Sequence, residues 1–135
     1  MRDFRILVAA HGDLAGALLA TAELICGHLE NVHAIGLRPE DSPETYRERL
    51  MAAAGGPEHA LLILTDLAGG TPHNVALAAT RELPWAHLIS GVNLAVLIEA
   101  AMCDDALDGA FVERLVASGR EALVDANRLL ATRPW

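Results

Sequence analysis

Two kinds of apolar pattern alternate along the chain. Short unbroken runs of strand length are separated by longer stretches in which apolar residues recur at helical spacing. Phe4 to Ala10 is the first run and predicts a buried strand, stopped by His11-Gly12. Asp13 then stands where a cap belongs, ahead of a helix to about His28 with Leu14, Leu18, Ala22 and Ile25 at helical spacing. Val32 to Leu37 predicts a second strand. Ser42-Pro43 is a cap followed by Pro at the first helical position, which opens a helix towards Ala54, and Gly55-Gly56-Pro57 breaks it. Ala60 to Thr65, "ALLILT", is apolar on both faces, as a central parallel strand should be. Thr71-Pro72 repeats the cap-plus-Pro device and predicts a helix to about Glu82. Ala86 to Ser90 is a fourth strand, Asn93 caps an apolar helix to Met102, Asp104 to Gly109 form a loop, and a last amphipathic helix covers Phe111 to Leu130.

Strands alternating with helices at this spacing predict an α/β fold, a doubly wound, mainly parallel sheet with helices on both faces. Right-handed crossovers leave few topologies, and the flavodoxin-like strand order 2-1-3-4 is the expected one. A chain of 135 residues makes one domain, 1–135, with no internal repeat or linker.

Composition narrows the classes. Ten basic residues against eighteen acidic ones give a net charge of −8, which argues against a surface that tracks nucleic-acid phosphates. All ten basic residues are Arg, so neither a Schiff-base lysine nor a P-loop lysine is available. No apolar stretch approaches the roughly 18 residues of a membrane span. The start of the chain shows no secretory pattern, and Cys26 and Cys103 predict buried, reduced thiols, so a cytoplasmic location is expected. An apolar share of 53% points to a subunit interface.

In such a sheet, chemistry gathers beyond the carboxyl ends of the strands, where the first and third diverge. His11 and Asp66 end those two runs and should lie side by side. A carboxylate beside an imidazole makes one ring nitrogen a donor and leaves the other free to accept or attack. After Asp66 comes Gly69-Gly70-Thr71-Pro72-His73-Asn74. Gly69 and Gly70 let backbone amides approach a ligand, the helix opening there offers free N–H groups, and the Thr71 hydroxyl is placed to donate to an anion. Histidine, aspartate and an anion pocket together suggest phosphoryl chemistry on His11.

Three segments sharpen that reading. "ILVAAHGDLAGALLATAELICG" resembles the start of the IIA components of the mannose family (mannose, fructose, sorbose and N-acetylgalactosamine systems) of the bacterial phosphoenolpyruvate-dependent sugar phosphotransferase system. "LTDLAGGTPHN" resembles that family's Asp-hydrophobic-x-Gly-Gly-Ser-Pro-x-Asn signature, and "ISGVNLAVLIEA" its Gly-Val-Asn segment. The resemblance implies a phosphoryl carrier, a phosphotransferase component that accepts a phosphoryl group from the phosphocarrier protein HPr on His11 Nε2 and passes it to a IIB component. It implies that Asp66 holds Nδ1–H and that Gly69, Gly70 and Thr71 line the phosphate site. It further implies a homodimer that exchanges a C-terminal edge strand, and association with a membrane IIC/IID complex only through IIB. Thr71 replaces the commoner Ser and keeps the hydroxyl; His73 stands where apolar or aromatic residues are frequent, which bears on partner docking. No metal or cofactor is called for, and the sugar is not legible because this component touches proteins only.

Two other readings stay open. One is a regulatory phosphoprotein of the same fold without a transporter; the other is a small-anion or nucleotide-binding module in the same crevice. The remaining polar residues read as structural. His28 and His33 flank a loop without metal spacing, and His59 and His87 are strand-entry residues. Asp104, Asp105 and Asp108 form a solvated acidic turn lacking the calcium-loop pattern, and Trp85 and Trp135 are packing or interface anchors.

Overall fold

The apolar runs assemble into one parallel sheet in the computed structural model, which describes residues 4–132. The elements follow as β1 (Phe4–His11), α1 (Leu14–Cys26), β2 (Val32–Leu37), α2 (Pro43–Ala54) and β3 (Ala60–Thr65). They continue with α3 (Thr71–Ala79), β4 (Ala86–Ser90), α4 (Leu94–Met102), α5 (Gly109–Glu121) and α6 (Ala126–Thr132). The strand order is β2-β1-β3-β4 with every pair parallel, as the alternating pattern predicts.

Why the central runs are so nearly apolar, with Arg5, His11 and Thr65 their polar residues, is now visible. Phe4, Ile6, Val8 and Ala10 of β1 pack into one core with Ala15, Ala22, Leu97, Phe111 and Leu115, against helices α1, α4 and α5. Leu7 and Ala9 face the other way, into a second core with Tyr46, Leu50, Leu61, Ile63, Val75 and Ala76 from β3, α2 and α3. Each fully buried Leu or Ile contributes about 1.5–3 kcal/mol, so both faces are strongly specified. Trp85 packs against the second core, while Trp135 lies outside the described residues.

The helix ends show where propensity and geometry part. Ser42 is a true cap: its side chain accepts from the Thr45 N–H, and Thr45 returns the bond to the Ser42 N–H at 2.9 Å. Asn93 caps α4 by accepting from Val96 N–H at 2.9 Å. Asp13 does not cap α1. Its backbone is already helical, and a side chain reaches back to the N3 amide only from an extended backbone. Nor does Thr71 cap α3; extended Gly70 takes that position and Thr71 is the first helical residue. Helices α1 and α3 also end earlier than their patterns predict, at Cys26 and Ala79, with Gly27 and Thr80 at the C-caps.

The long C-terminal helix is divided. Chain 122–125 leaves helical geometry, and Asp125 then accepts from Arg128 N–H at 3.1 Å, capping α6. Among the described residues no strand follows β4, so the expected exchanged edge strand has no counterpart there. Nor is any helix among them long and apolar enough to cross a membrane.

Candidate functional site

The parallel register carries His11 to the end of β1 beside Leu37, and Thr65 closes β3 one residue before Asp66. Asp66 Oδ2 accepts the His11 backbone N–H at 2.9 Å and lies 2.7 Å from His11 Nδ1. Its other oxygen accepts from Leu67 N–H at 2.9 Å. Burial raises the Asp66 carboxyl's pKa, but the backbone and ring N–H donors of His11 and the Leu67 amide outweigh it and hold the group below the usual carboxylate range. Asp66 is therefore an anion at neutral pH, and an anion requires a donor. Nδ1 is therefore the nitrogen that donates to Asp66, and in the neutral ring Nε2 is the one that presents a lone pair.

The other side of the ring meets α3. A Cβ on Gly70 would fall 2.8 Å from His11 Cε1 and 3.5 Å from Nε2, so this edge of the imidazole lies against bare backbone. Only glycine leaves room for the ring there. Gly69 takes φ +88°, a left-handed conformation that glycine adopts freely, and turns the chain into the helix. Its carbonyl accepts from Asn74 Nδ2 at 3.1 Å, and Asn74 N–H donates to Gly70 O at 2.8 Å. Because no side chain caps α3, the amides of Thr71 and His73 in its first turn have no partner within the helix. Imidazole Nε2 thus stands beside a helix N-terminus with its positive dipole end.

All five site residues expected from sequence, His11, Asp66, Gly69, Gly70 and Thr71, lie at this crevice, between β1, β3 and the start of α3. His73 lies in the same turn with Nδ1 buried and unpartnered. Exposure differs sharply within the central pair: 46% for the His11 side chain and 9% for that of Asp66, so the ring reaches solvent while its carboxylate partner is sheltered.

Asn74 is the residue that sequence reasoning named within its motif but gave no role; its side chain ties down the Gly69 carbonyl. Gly12, after His11, takes φ +56° and donates its N–H to Leu37 O at 2.8 Å, closing the turn. The other histidines stay away. His28 Nδ1 lies 2.9 Å from Glu23 Oε2 at the far end of α1, and His33 and His59 are exposed. Asp105 and Asp108 are more than a solvated turn: Asp105 pairs with Arg114 at 2.6 Å, and Asp108 caps α5 through Phe111 N–H at 2.8 Å. No group of three or more His, Cys, Asp or Glu among the described residues could hold a metal ion.

Comparison with known proteins agrees in sequence and in shape. The family whose sequence model matches residues 5–116 is described as the PTS (phosphotransferase) system fructose IIA component. The mannose-specific EIIAB component of Escherichia coli (strain K12) is 34% identical over 131 residues, which is 96% of this chain and 40% of that protein. This chain thus spans two fifths of that relative's length. The fructose-specific EIIA component of Bacillus subtilis (strain 168) is 31% identical over 96 residues, covering 70% of this chain and 66% of that protein. Among solved structures, the phosphotransferase component EIIA from Streptococcus agalactiae superposes with a TM-score of 0.84 at 32% identity, covering 93% of this chain and 98% of that one.

Proposed function

The chain belongs to the fructose IIA component family of the sugar phosphotransferase system, and on that premise we propose that it is a phosphoryl carrier working through a phosphohistidine at His11. The observation that carries the reading is the contact of His11 Nδ1 with Asp66 Oδ2 at 2.7 Å, with Nε2 left facing the start of α3.

The chemistry follows from that placement. The Nε2 lone pair attacks the phosphorus of a phosphohistidine on the donor, HPr. A new N–P bond forms as the donor's N–P bond breaks, and the donor imidazole leaves with the electron pair. Charge spreads over the equatorial oxygens, which the first-turn amides of α3 and the Thr71 hydroxyl are placed to stabilise. The Nδ1 proton stays on the ring throughout, and anionic Asp66 balances the positive charge that the phosphorylated imidazole gains. The reverse attack, by an acceptor on a IIB component, discharges the group. Phosphorylation in this reading occurs within one IIA domain, and coupling to membrane IIC and IID components runs through IIB.

Incubation with phosphoenolpyruvate, enzyme I and HPr, followed by intact mass measurement, tests the reading. The protein should gain the mass of one phosphoryl group, labile to acid and stable to alkali, and His11→Ala should gain none. A His11→Ala protein that is still phosphorylated would remove His11 from the role.

A further inference from the structure

Three consecutive carbonyls at the end of β2 are held by groups from elsewhere. Ile35 O accepts from the Tyr46 hydroxyl at 2.7 Å, Gly36 O from Arg49 Nη2 at 3.1 Å, and Leu37 O from Gly12 N–H at 2.8 Å. The last of these donors is the residue that follows His11. The guanidinium on the middle carbonyl is itself fixed, because Nη1 pairs with Asp41 Oδ2 at 2.6 Å and Cζ lies 5.7 Å from the Tyr46 ring centroid. The Asp41 side chain is 8% exposed, and its Oδ2 also accepts from Arg38 N–H at 2.8 Å, so the loop leaving β2 closes on the same carboxylate. The Arg38 amide chiefly, with Arg49 adding to it against desolvation, holds the Asp41 carboxyl below its ordinary range. β2 also runs so close to the turn that a Cβ on Gly36 would overlap the Gly12 carbonyl oxygen.

We propose that Arg49 is a positioning residue for phosphoryl transfer: by holding the Gly36 carbonyl and Asp41 it fixes the end of β2 against which the His11-Gly12 turn is set. The inference rests on His11 being the phosphoryl acceptor. Asp66 fixes the His11 peptide from the β3 side, where the carboxylate takes both its amide and its ring nitrogen. On the β2 side the constraint is Leu37 O, at the last pair of the β1–β2 ladder, where the strand end is further held by the Tyr46 and Arg49 bonds to the two carbonyls before it. A guanidinium is suited to the task because its planar fork grips a carboxylate and a carbonyl at once. Displacing a nucleophile by about 1 Å is enough to cost on the order of a hundredfold in rate, so a brace remote from the chemistry has a large lever.

Arg49→Met removes the guanidinium and keeps most of the stem, while Arg49→Lys keeps the charge. For each, circular dichroism checks the fold, and the initial rate of phosphoryl gain from phosphorylated HPr is measured. NMR follows amide exchange at Gly12 and the ring nitrogen shifts of His11. Arg49→Met should lose about tenfold or more in rate, with faster exchange at Gly12 and displaced His11 signals, and Arg49→Lys should recover most of the rate. An unchanged rate in Arg49→Met overturns the proposal, as does a slower rate with Gly12 and His11 signals unmoved. If Arg49→Met fails to fold, Asp41→Asn loosens the same guanidinium, and an unchanged rate there overturns it equally. Should the wild-type protein accept no phosphoryl group at all, the proposed function fails; the NMR comparison still decides whether Arg49 sets the turn.

Discussion

At the scale of residues, Asp66 makes the central argument, because one oxygen serves both the backbone and the ring of His11. Asp66→Asn fills the same space without the charge, so transfer should slow in both directions while the domain stays folded; equal rates would exclude an electrostatic role. The same carboxylate makes a stability prediction. Its pKa is lower folded than unfolded, so its ionised form stabilises the fold at neutral pH. That contribution is complete above the ordinary carboxylate value of about 4 and disappears as pH falls through the lowered one. The stability gap between wild type and Asp66→Asn, read from urea midpoints, should therefore shrink as pH drops from about 5 towards 2. A gap that stays constant would show that the charge contributes nothing. Thr71 is a different case. Its hydroxyl is free of the capping bond that the sequence suggests, since Gly70 holds the cap position. Thr71→Ser should be nearly silent, and Thr71→Val should cost about 1–3 kcal/mol of phosphoryl-state stabilisation, seen as faster hydrolysis of the phosphoprotein. Unaltered hydrolysis in Thr71→Val would mean that the hydroxyl does not touch the phosphoryl group.

Elements show which local signals are strong enough to survive folding. Five features sit where the apolar pattern puts them: β2, α2, β3, β4 and α4. β3 is buried almost throughout, α2 and α4 start at side-chain caps, and the edge strands β2 and β4 each bury one residue, Val32 and Ile89, so local and tertiary preferences agree. The roles of Asp13 and Thr71 were not legible for one shared reason: a capping residue acts through its backbone angles, and those are set by what precedes it in three dimensions. Gly12 in left-handed geometry feeds Asp13 straight into the helix, and Gly70 pressed on the His11 ring takes the cap from Thr71. Asn93 illustrates a cap that also joins two elements. Its Oδ1 accepts from Val96 N–H at 2.9 Å, and its Nδ2 donates to Gly119 O of α5 at 2.8 Å. Losing both bonds in Asn93→Ala should destabilise the protein by about 1–3 kcal/mol. Urea denaturation with an unchanged midpoint would show that α4 and α5 are held by apolar packing alone.

For the whole molecule, the unresolved demand of the composition is apolar surface. Leu24 is 86% exposed beside Ile25 at the end of α1, and Leu123 is 87% exposed with Val124 and Leu130 in the α5–α6 region. Single exposed leucines are ordinary, but side chains grouped at two places favour a covering partner, and a second copy related by two-fold symmetry is the commonest one. Light scattering at micromolar concentration should report twice the chain's mass, and replacing Leu123 and Val124 by Ser should shift it towards one. A monomer mass for the wild type would refute the dimer and leave the chemistry at His11 untouched.

The sequence by itself determined the fold class and the strand order, because runs buried on both faces and short right-handed crossovers leave almost one arrangement. It also determined which side chains stand at the end of β1 and just past the end of β3, and hence that His11 and Asp66 meet. Tertiary structure alone decided how they meet. The Nδ1 contact with Asp66, the glycine backbone against the ring, the absence of a side-chain cap at α3 and the bonds of Arg49 and Gly12 to the end of β2 all depend on distances between segments far apart in the chain. A hydrophobic pattern specifies which face of an element is buried; it carries no information about the last few ångströms between polar groups, and those set the chemistry.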